Sequence, residues 1–301
     1  MVRKRSGKRL LVTGASGFLG WNLCRIARER YRVTGVYHLH NCEIPGVTCI
    51  ACDCTDMHAI EALFDRIRPD AVIHTAAAAD PNYCQINVKE SAAINVDASA
   101  AIARQCGRLN IPCVFTSSDL VFGGGKAPYR EEDTVCPLNR YGVQKAAAEQ
   151  GMAAAYPRTI ICRMPLMYGD APPHAKSFIQ PMIAAMLDGR ELPLFIDEYR
   201  TPVSATDAAQ GLLLSVEKAP PGILHLGGPE RLSRYKMGLL LSETLDLKPI
   251  LKKCLQREVL MTAPRAADAS LDSSKAGLLG FVPGRMREEL GKLECVRKRL
   301  R

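Results

Sequence analysis

The sequence predicts an α/β protein, a doubly wound parallel sheet with helices on both faces and a smaller C-terminal lobe interleaved with its last elements. Three observations carry that prediction. In the first half, short apolar runs alternate with segments whose apolar residues recur at helical spacing, as expected when each parallel strand needs a crossover helix. Gly14, Gly17 and Gly20 stand between the first apolar run and the first helical segment. The chain has 301 residues, 47% of them hydrophobic, enough to bury a large core as one α/β domain or two lobes.

The elements follow in order. RLLVTG (9–14) reads as the first strand and FLGWNLCRIARER (18–30) as the helix after it. YRVTGVYH (31–38) and VTCIACD (47–53) read as strands two and three. TDMHAIEALFDRI (55–67) has the apolar spacing of a helix, and DAVIHTAAAA (70–79) is strand four with its loop. A long helix is expected over about 89–108, and IPCVFTSS (111–118) supplies strand five. Asn139 or Pro137 can start the next helix, whose run AAAEQGMAAA is rich in strong helix formers. RTIICRMP (158–165) supplies strand six. Beyond about residue 168 prolines and glycines become frequent, with short helices expected near 176–187, 204–217 and 234–245.

Composition excludes several classes. No apolar run reaches the roughly 18 residues of a membrane span, and the basic N-terminal stretch runs straight into a glycine loop rather than into a signal-peptide core. The twelve cysteines are scattered, some in apolar strand-like runs such as those of Cys113 and Cys162, which fits reduced thiols in a cytoplasmic protein. Cys49, Cys52 and Cys54 form the tightest cluster, but no second Cys/His pair follows at zinc spacing, so no metal is expected. The net charge of +9 is concentrated at the two ends without interleaved aromatics, which favours solvated terminal charge over nucleic-acid binding.

The chemistry starts at VTGASGFLGWN. Glycines between a strand and a helix let the backbone turn sharply and approach a pyrophosphate, whose charge rests on the amides of the helix N-terminus. The spacing is G-x-x-G-x-x-G, a tight turn in isolation but a dinucleotide loop in this context. Expected cofactor contacts are Gly14, Ser16, Gly17, Phe18, Leu19 and Gly20 from the loop. Strand two ends in VYHLHN, with His38 and no acid before Glu43. A carboxylate there would bond the ribose hydroxyls of NAD, so its lack favours NADP over NAD; two exposed histidines are the plain alternative. Asp53, just after strand three, suits the adenine amino group or a helix cap, with Cys54 beside it. Ala76, Ala77 and Ala78 end strand four in side chains small enough for a cofactor to lie against backbone.

A second group lies in FTSSDLVFGGG and NRYGVQKAAAEQ. Tyr141 and Lys145 are four apart and share one helical face. A phenol is protonated at neutral pH but yields its proton reluctantly, and a nearby ammonium together with the nicotinamide charge is expected to lower its pKa. Ser118, at the end of strand five, can hold a carbonyl in line. Acid, tuner and positioner together suit the protonation of a ketone oxygen as hydride reaches the carbon.

With these residues the chain resembles the extended short-chain dehydrogenase/reductase superfamily, and within it the dTDP-4-dehydrorhamnose reductase-like branch. TGASGFLG matches the cofactor loop, SSDLVFGGGKAPYREEDTVCPLNRYGVQKAAAEQ the active-site segment, RMPLMYG the strand after it, and GILHLGGPERLSRYKMG with DASLDSSKAGLLGF the C-terminal lobe. The resemblance implies a Rossmann-type dinucleotide domain over 1–168 and 201–226, and a substrate-binding lobe over 169–200 and 227–301. It implies Tyr141 as the catalytic acid, Lys145 on the nicotinamide ribose, and Ser118 where relatives have Thr or Ser. The implied activity is NAD(P)H-dependent reduction of a 4-keto-6-deoxy nucleotide sugar.

Two departures stand out. Sugar-nucleotide dehydratases carry an Asp-Glu pair after the catalytic hydroxyl, whereas this chain reads Ser118-Asp119-Leu120. Rhamnose-pathway reductases have a tryptophan where this chain has Leu166. Asp119 suits substrate or a turn cap, and Arg200 and Arg265 match places where relatives hold substrate phosphates, with salt bridges as the ordinary alternative. The chain is also similar to the regulatory β subunit of methionine adenosyltransferase. Another nucleotide-sugar epimerase or reductase, or an NADP-binding regulatory subunit with little turnover, are therefore the competing readings. A small-molecule nucleotide sugar is the expected partner, with no nucleic acid or membrane, and a homodimer is left open.

Overall fold

A computed structural model of the chain describes residues 7–297. The outermost basic residues of both ends, 1–6 and 298–301, lie outside the described residues, so the terminal charge noted above is seen only in part.

The central sheet begins with β1 (Arg9–Thr13), β2 (Arg32–Tyr37), β3 (Thr48–Ala51), β4 (Ala71–His74), β5 (Cys113–Ser118) and β6 (Ile160–Met164). Helices α1 (Phe18–Ala27), α2 (Met57–Ile67), α3 (Pro81–Ile86), α4 (Val88–Ala92), α5 (Ala98–Leu109) and α6 (Arg140–Ala155) connect them. The chain then adds β7 (Met167–Tyr168), α7 (Ile179–Leu187), β8 (Leu192–Phe195), β9 (Tyr199–Arg200), β10 (Val203–Ser204), α8 (Ala205–Lys218), β11 (Gly222–His225), β12 (Leu232–Ser233) and α9 (Arg234–Thr244). The sheet has seven strands in the order β11-β6-β5-β4-β1-β2-β3, every neighbouring pair parallel. This is the doubly wound architecture the sequence predicts.

Strand period fixes which residues face which helix layer. In β1, Leu10 and Val12 enter a core with Leu23 of α1 and Leu212 of α8. Leu11, between them, points the other way and joins Phe115, Ile102 of α5 and Met152 of α6. All three β1 leucine and valine side chains are solvent-free, each worth roughly 1.5–3 kcal/mol relative to exposure. A third cluster, including Tyr168, Ile183, Met237 and Leu290, lies in the C-terminal part.

Five details differ from the sequence expectation. The seventh strand, β11, was not distinguishable in GILH; it exists because it pairs with β6 from Gly222↔Ile160 to His225↔Arg163. The helix expected over 89–108 is α4 and α5 joined through a π-helical turn at Ala93–Asp97. The α2 helix starts at Met57, later than expected, because Asp56 supplies the cap, accepting from the amides of His58 and Ala59 at 2.9 and 3.1 Å. The first helix ends at Ala27 rather than Arg30, and Pro81–Ile86 forms a short helix capped by Asp80.

Candidate functional site

The sheet order reverses between β4 and β1, so a crevice opens at the carboxyl ends of these strands. Two cavities fill it, of about 420 and 280 Å³. Gly14, Gly17, Thr75 and Ala77 line both. The smaller holds Ser16, His38, Asp53, Cys54, Ala76 and Ala78; the larger holds Phe18, Leu19, Gly20, Ser118, Asp119, Tyr141, Lys145, Leu166, Arg200 and Arg265. Residues singled out from distant parts of the sequence thus line one continuous crevice.

The glycine loop has the shape a dinucleotide needs. Gly14 has φ of +74°, and a Cβ there would stand 2.7 Å from the amide nitrogen of Ala76. A Cβ on Gly20 would fall 2.2 Å from the Gly14 carbonyl oxygen. Gly17 is the N-cap of α1 and supplies no side-chain cap, and the first turn has no acid. Its amides are therefore left to an anion from outside the helix, and these residues fit a pyrophosphate. At the far end, Nε2 of His38 stands 3.7 Å from Asp53. Asp53 accepts from the amide and hydroxyl of Thr55, both at 2.8 Å, and so braces a turn rather than capping α2.

Tyr141 and Lys145 come to Ser118 through a close helix approach. Asn139 caps α6 by accepting from the Gly142 amide at 2.9 Å, while its Nδ2 donates to the Pro264 carbonyl. A Cβ on Gly142 would meet the Leu120 carbonyl oxygen at 2.2 Å, so only glycine lets the first turn of α6 press against the turn after β5. Tyr141 is 8% and Lys145 1% exposed. Lys145 Nζ lies 4.2 Å over the Phe115 ring. Burial drives its pKa down to about 7, against the opposing pull of Glu149. The Glu149 carboxylate is held by Arg163 at 2.8 Å and accepts a short bond from the Ser117 hydroxyl.

The expectation for Tyr141 itself needs correcting. Its phenol pKa is pushed up, first by burial and then by the negative charge of Asp119, with the Ser118 hydroxyl pulling the other way. Lys145 does not set it. Asp119 is in turn raised to about 6 by burial against the pull of Arg200; its Oδ1 accepts from Ser118 at 3.2 Å, and Oδ2 stands 3.3 Å from Arg200 Nε.

Several lining or supporting residues escaped the sequence reading. Glu198 and Arg234 line the larger cavity; nothing in DEYR or LSRY separated them from surface charge. Asn95, on the π-helical turn, accepts from the Ala78 amide at 2.9 Å and donates to Gln144 of α6 at 2.8 Å, coupling the alanine loop to the Tyr–Lys helix. His74 is fully buried: Nδ1 lies 2.6 Å from the Thr13 hydroxyl and Nε2 3.1 Å from that of Ser99. The Thr13 oxygen also accepts from the amides of Thr75 and Ala76.

A parallel dinucleotide-type sheet with serine, tyrosine and lysine gathered at its crevice defines the extended short-chain dehydrogenase/reductase class. Residues 8–296 match the family model described as RmlD substrate binding domain, and the chain belongs to that family. It is 32% identical to a hypothetical dTDP-4-dehydrorhamnose reductase from Sulfolobus tokodaii, with a TM-score of 0.82 over 92% of this chain and 98% of that one. The dTDP-4-dehydrorhamnose reductase of Bacillus anthracis, solved in complex with NADP, has a TM-score of 0.86 over 96% and 99%, at 21% identity. Methionine adenosyltransferase 2 subunit beta of Xenopus laevis is 26% identical over 284 residues, 91% of this chain and 83% of that protein. Among the described residues no helix is long and apolar enough to cross a membrane.

Proposed function

We propose that the protein reduces the ketone of a 4-keto-6-deoxy nucleotide sugar, or a close analogue, with NADPH in preference to NADH. The observation that carries this reading is the convergence of Ser118, Tyr141 and Lys145 on the crevice that the glycine loop borders. A nicotinamide dinucleotide, when bound, supplies the hydride. Gly14, Gly17 and Gly20 give its pyrophosphate the amides of α1, and His38, in a pocket without a carboxylate on strand two, leaves room for a 2′-phosphate. Ser118, whose one hydroxyl hydrogen is directed to Asp119 without substrate, turns it to the ketone oxygen and holds that oxygen in line. Tyr141 gives that oxygen its proton from a site where burial keeps the phenol protonated. Lys145, buried with a pKa near neutrality, is placed to bond the ribose and to restore the tyrosine's proton.

Neighbours of this fold were solved with NADP in one case and NAD in two others, which supports a nicotinamide dinucleotide. A relative at 32% identity is described as a hypothetical dTDP-4-dehydrorhamnose reductase, which supports the reductase reading. The test is oxidation of NADPH by the purified protein on addition of dTDP-4-keto-6-deoxy-mannose, followed by absorbance at the nicotinamide band. A second reading, a cofactor-binding regulatory subunit, is favoured by the likeness to methionine adenosyltransferase 2 subunit beta and by Leu166 in place of the tryptophan. NADPH binding without turnover on any keto sugar would select it.

A further inference from the structure

The larger cavity is bordered by three guanidinium groups, those of Arg200, Arg234 and Arg265, and by two carboxylates, those of Asp119 and Glu198. Their bonding is unequal. Arg200 is committed on all sides: Nε faces Asp119 at 3.3 Å, Nη2 faces Glu198 at 3.4 Å, and Nη1 donates to the carbonyls of Tyr199 and Ala266 at 2.8 and 3.1 Å. Arg265 donates through Nη1 to the Ala263 carbonyl and through Nη2 to Asn82. Arg234 is different. Its Nε is 3.6 Å from Glu198, beyond hydrogen-bond reach, and its guanidinium lies 5.0 Å over the Phe178 ring. Nη1 is shut off from solvent and has no acceptor. The side chain is still a quarter open to the cavity.

A guanidinium carries five donors in a rigid fork, and a buried donor left unmet is destabilising. The cluster also carries one more positive charge than negative, in surroundings where an unbalanced charge is expensive. Both deficits are met by one acceptor, an oxyanion in the cavity that Arg234 lines.

We propose that Arg234, and not Arg200, is the guanidinium that receives an oxyanion of the substrate, while Arg200 is the fixed frame that holds Asp119 and Glu198. This rests on the reading of the crevice as a nucleotide-sugar site. Two substrate groups share that chemistry: the diphosphate joining nucleotide and sugar, and a carboxylate on the sugar ring. The aromatic ring of Phe178, 5.0 Å from the guanidinium carbon, covers one side of the cation.

The test is calorimetric binding to the full chain loaded with NADP, comparing wild type with Arg234→Gln. The probes are inorganic pyrophosphate, dTDP, dTDP-glucose and dTDP-glucuronate. The variant is expected to bind at least tenfold more weakly, with NADP affinity unchanged and Tm no lower than that of the wild type. Equal weakening of all four probes assigns the oxyanion to the diphosphate; weakening of the glucuronate alone assigns it to a ring carboxylate. Either supports the proposal. Equal affinities of variant and wild type for every probe overturn it, as does failure of the wild type to bind any of them. Should the glutamine variant not fold, Arg234→Lys serves, which keeps the charge but not the fork and is expected to lose severalfold. A wild type that binds the probes yet never oxidises NADPH with a keto sugar refutes the reductase reading and leaves the Arg234 assignment standing.

Discussion

Replacing Lys145 with methionine should make the cofactor-free protein more stable while abolishing its proposed chemistry. Lys145 is 1% exposed, and burial takes its pKa from the ordinary 10.5 to about 7. At about 1.4 kcal/mol per pH unit, that is a gross penalty of about 5 kcal/mol for keeping the ammonium inside at or below neutrality. The variant forfeits the cation–π contact with Phe115, worth about 1–2 kcal/mol. It strands no partner, because Glu149 stays paired with Arg163 at 2.8 Å. Methionine nearly conserves the volume. The net gain expected at pH 7 is therefore about 3–4 kcal/mol.

The sign of the pH dependence follows from the direction of the shift. Between pH 7 and 10.5 the unfolded chain holds a proton on Lys145 that the folded chain has lost, so wild-type stability gains from this group as pH rises. The advantage of Lys145→Met is therefore largest near and below pH 7 and should shrink by about 1.4 kcal/mol for each pH unit towards pH 9. Urea titrations of both proteins at pH 7, 8 and 9 measure it. A variant less stable than wild type at pH 7, or a difference that does not move with pH, would refute the claim that Lys145 is held against its preference for solvent.

Other outcomes follow from the same structure. Tyr141→Phe should lower turnover about 10²–10⁴-fold with NADPH affinity near normal, read by steady-state rates beside a fluorescence titration; persistent turnover would remove Tyr141 as the acid. NADPH should bind more tightly than NADH when both are titrated in parallel, and the reverse would discard the inference from His38. Arg200→Gln should cost about 3–5 kcal/mol, because it leaves Asp119 buried without its cation; denaturant midpoints check this, and a near-neutral result would release Arg200 from its framing role.

What the sequence made legible was whatever is encoded locally. The glycine loop is a local demand of backbone against backbone, so Gly14 and Gly20 stand out by spacing alone. Tyr141 and Lys145 are one helical turn apart, so their shared face follows from helix geometry. The strand β11 was hidden because Gly222–His225 is short and becomes a strand only beside β6. Arg234, Glu198 and Asn95 were hidden for a related reason: each acquires its place from partners far away in the chain. One-turn proximity of Tyr141 to Lys145 is visible in the sequence, whereas the enclosure and the neighbouring Asp119 charge that raise the phenol's pKa appear only after folding.

The bonding around His74 fixes more than the position of a ring. Since the Thr13 oxygen already takes two amide hydrogens, its own hydrogen must go to Nδ1, and Nε2 is left to carry the imidazole's single hydrogen towards Ser99. Burial holds the ring neutral, with a pKa of about 3. A histidine so locked is a one-way spacer between two strands and a helix, unable to ferry hydrogen without reversing every bond along the line. The side chain chemists would first suspect of proton traffic near neutrality is thereby retired to carpentry, and the proposed reaction looks instead to a phenol and an amine.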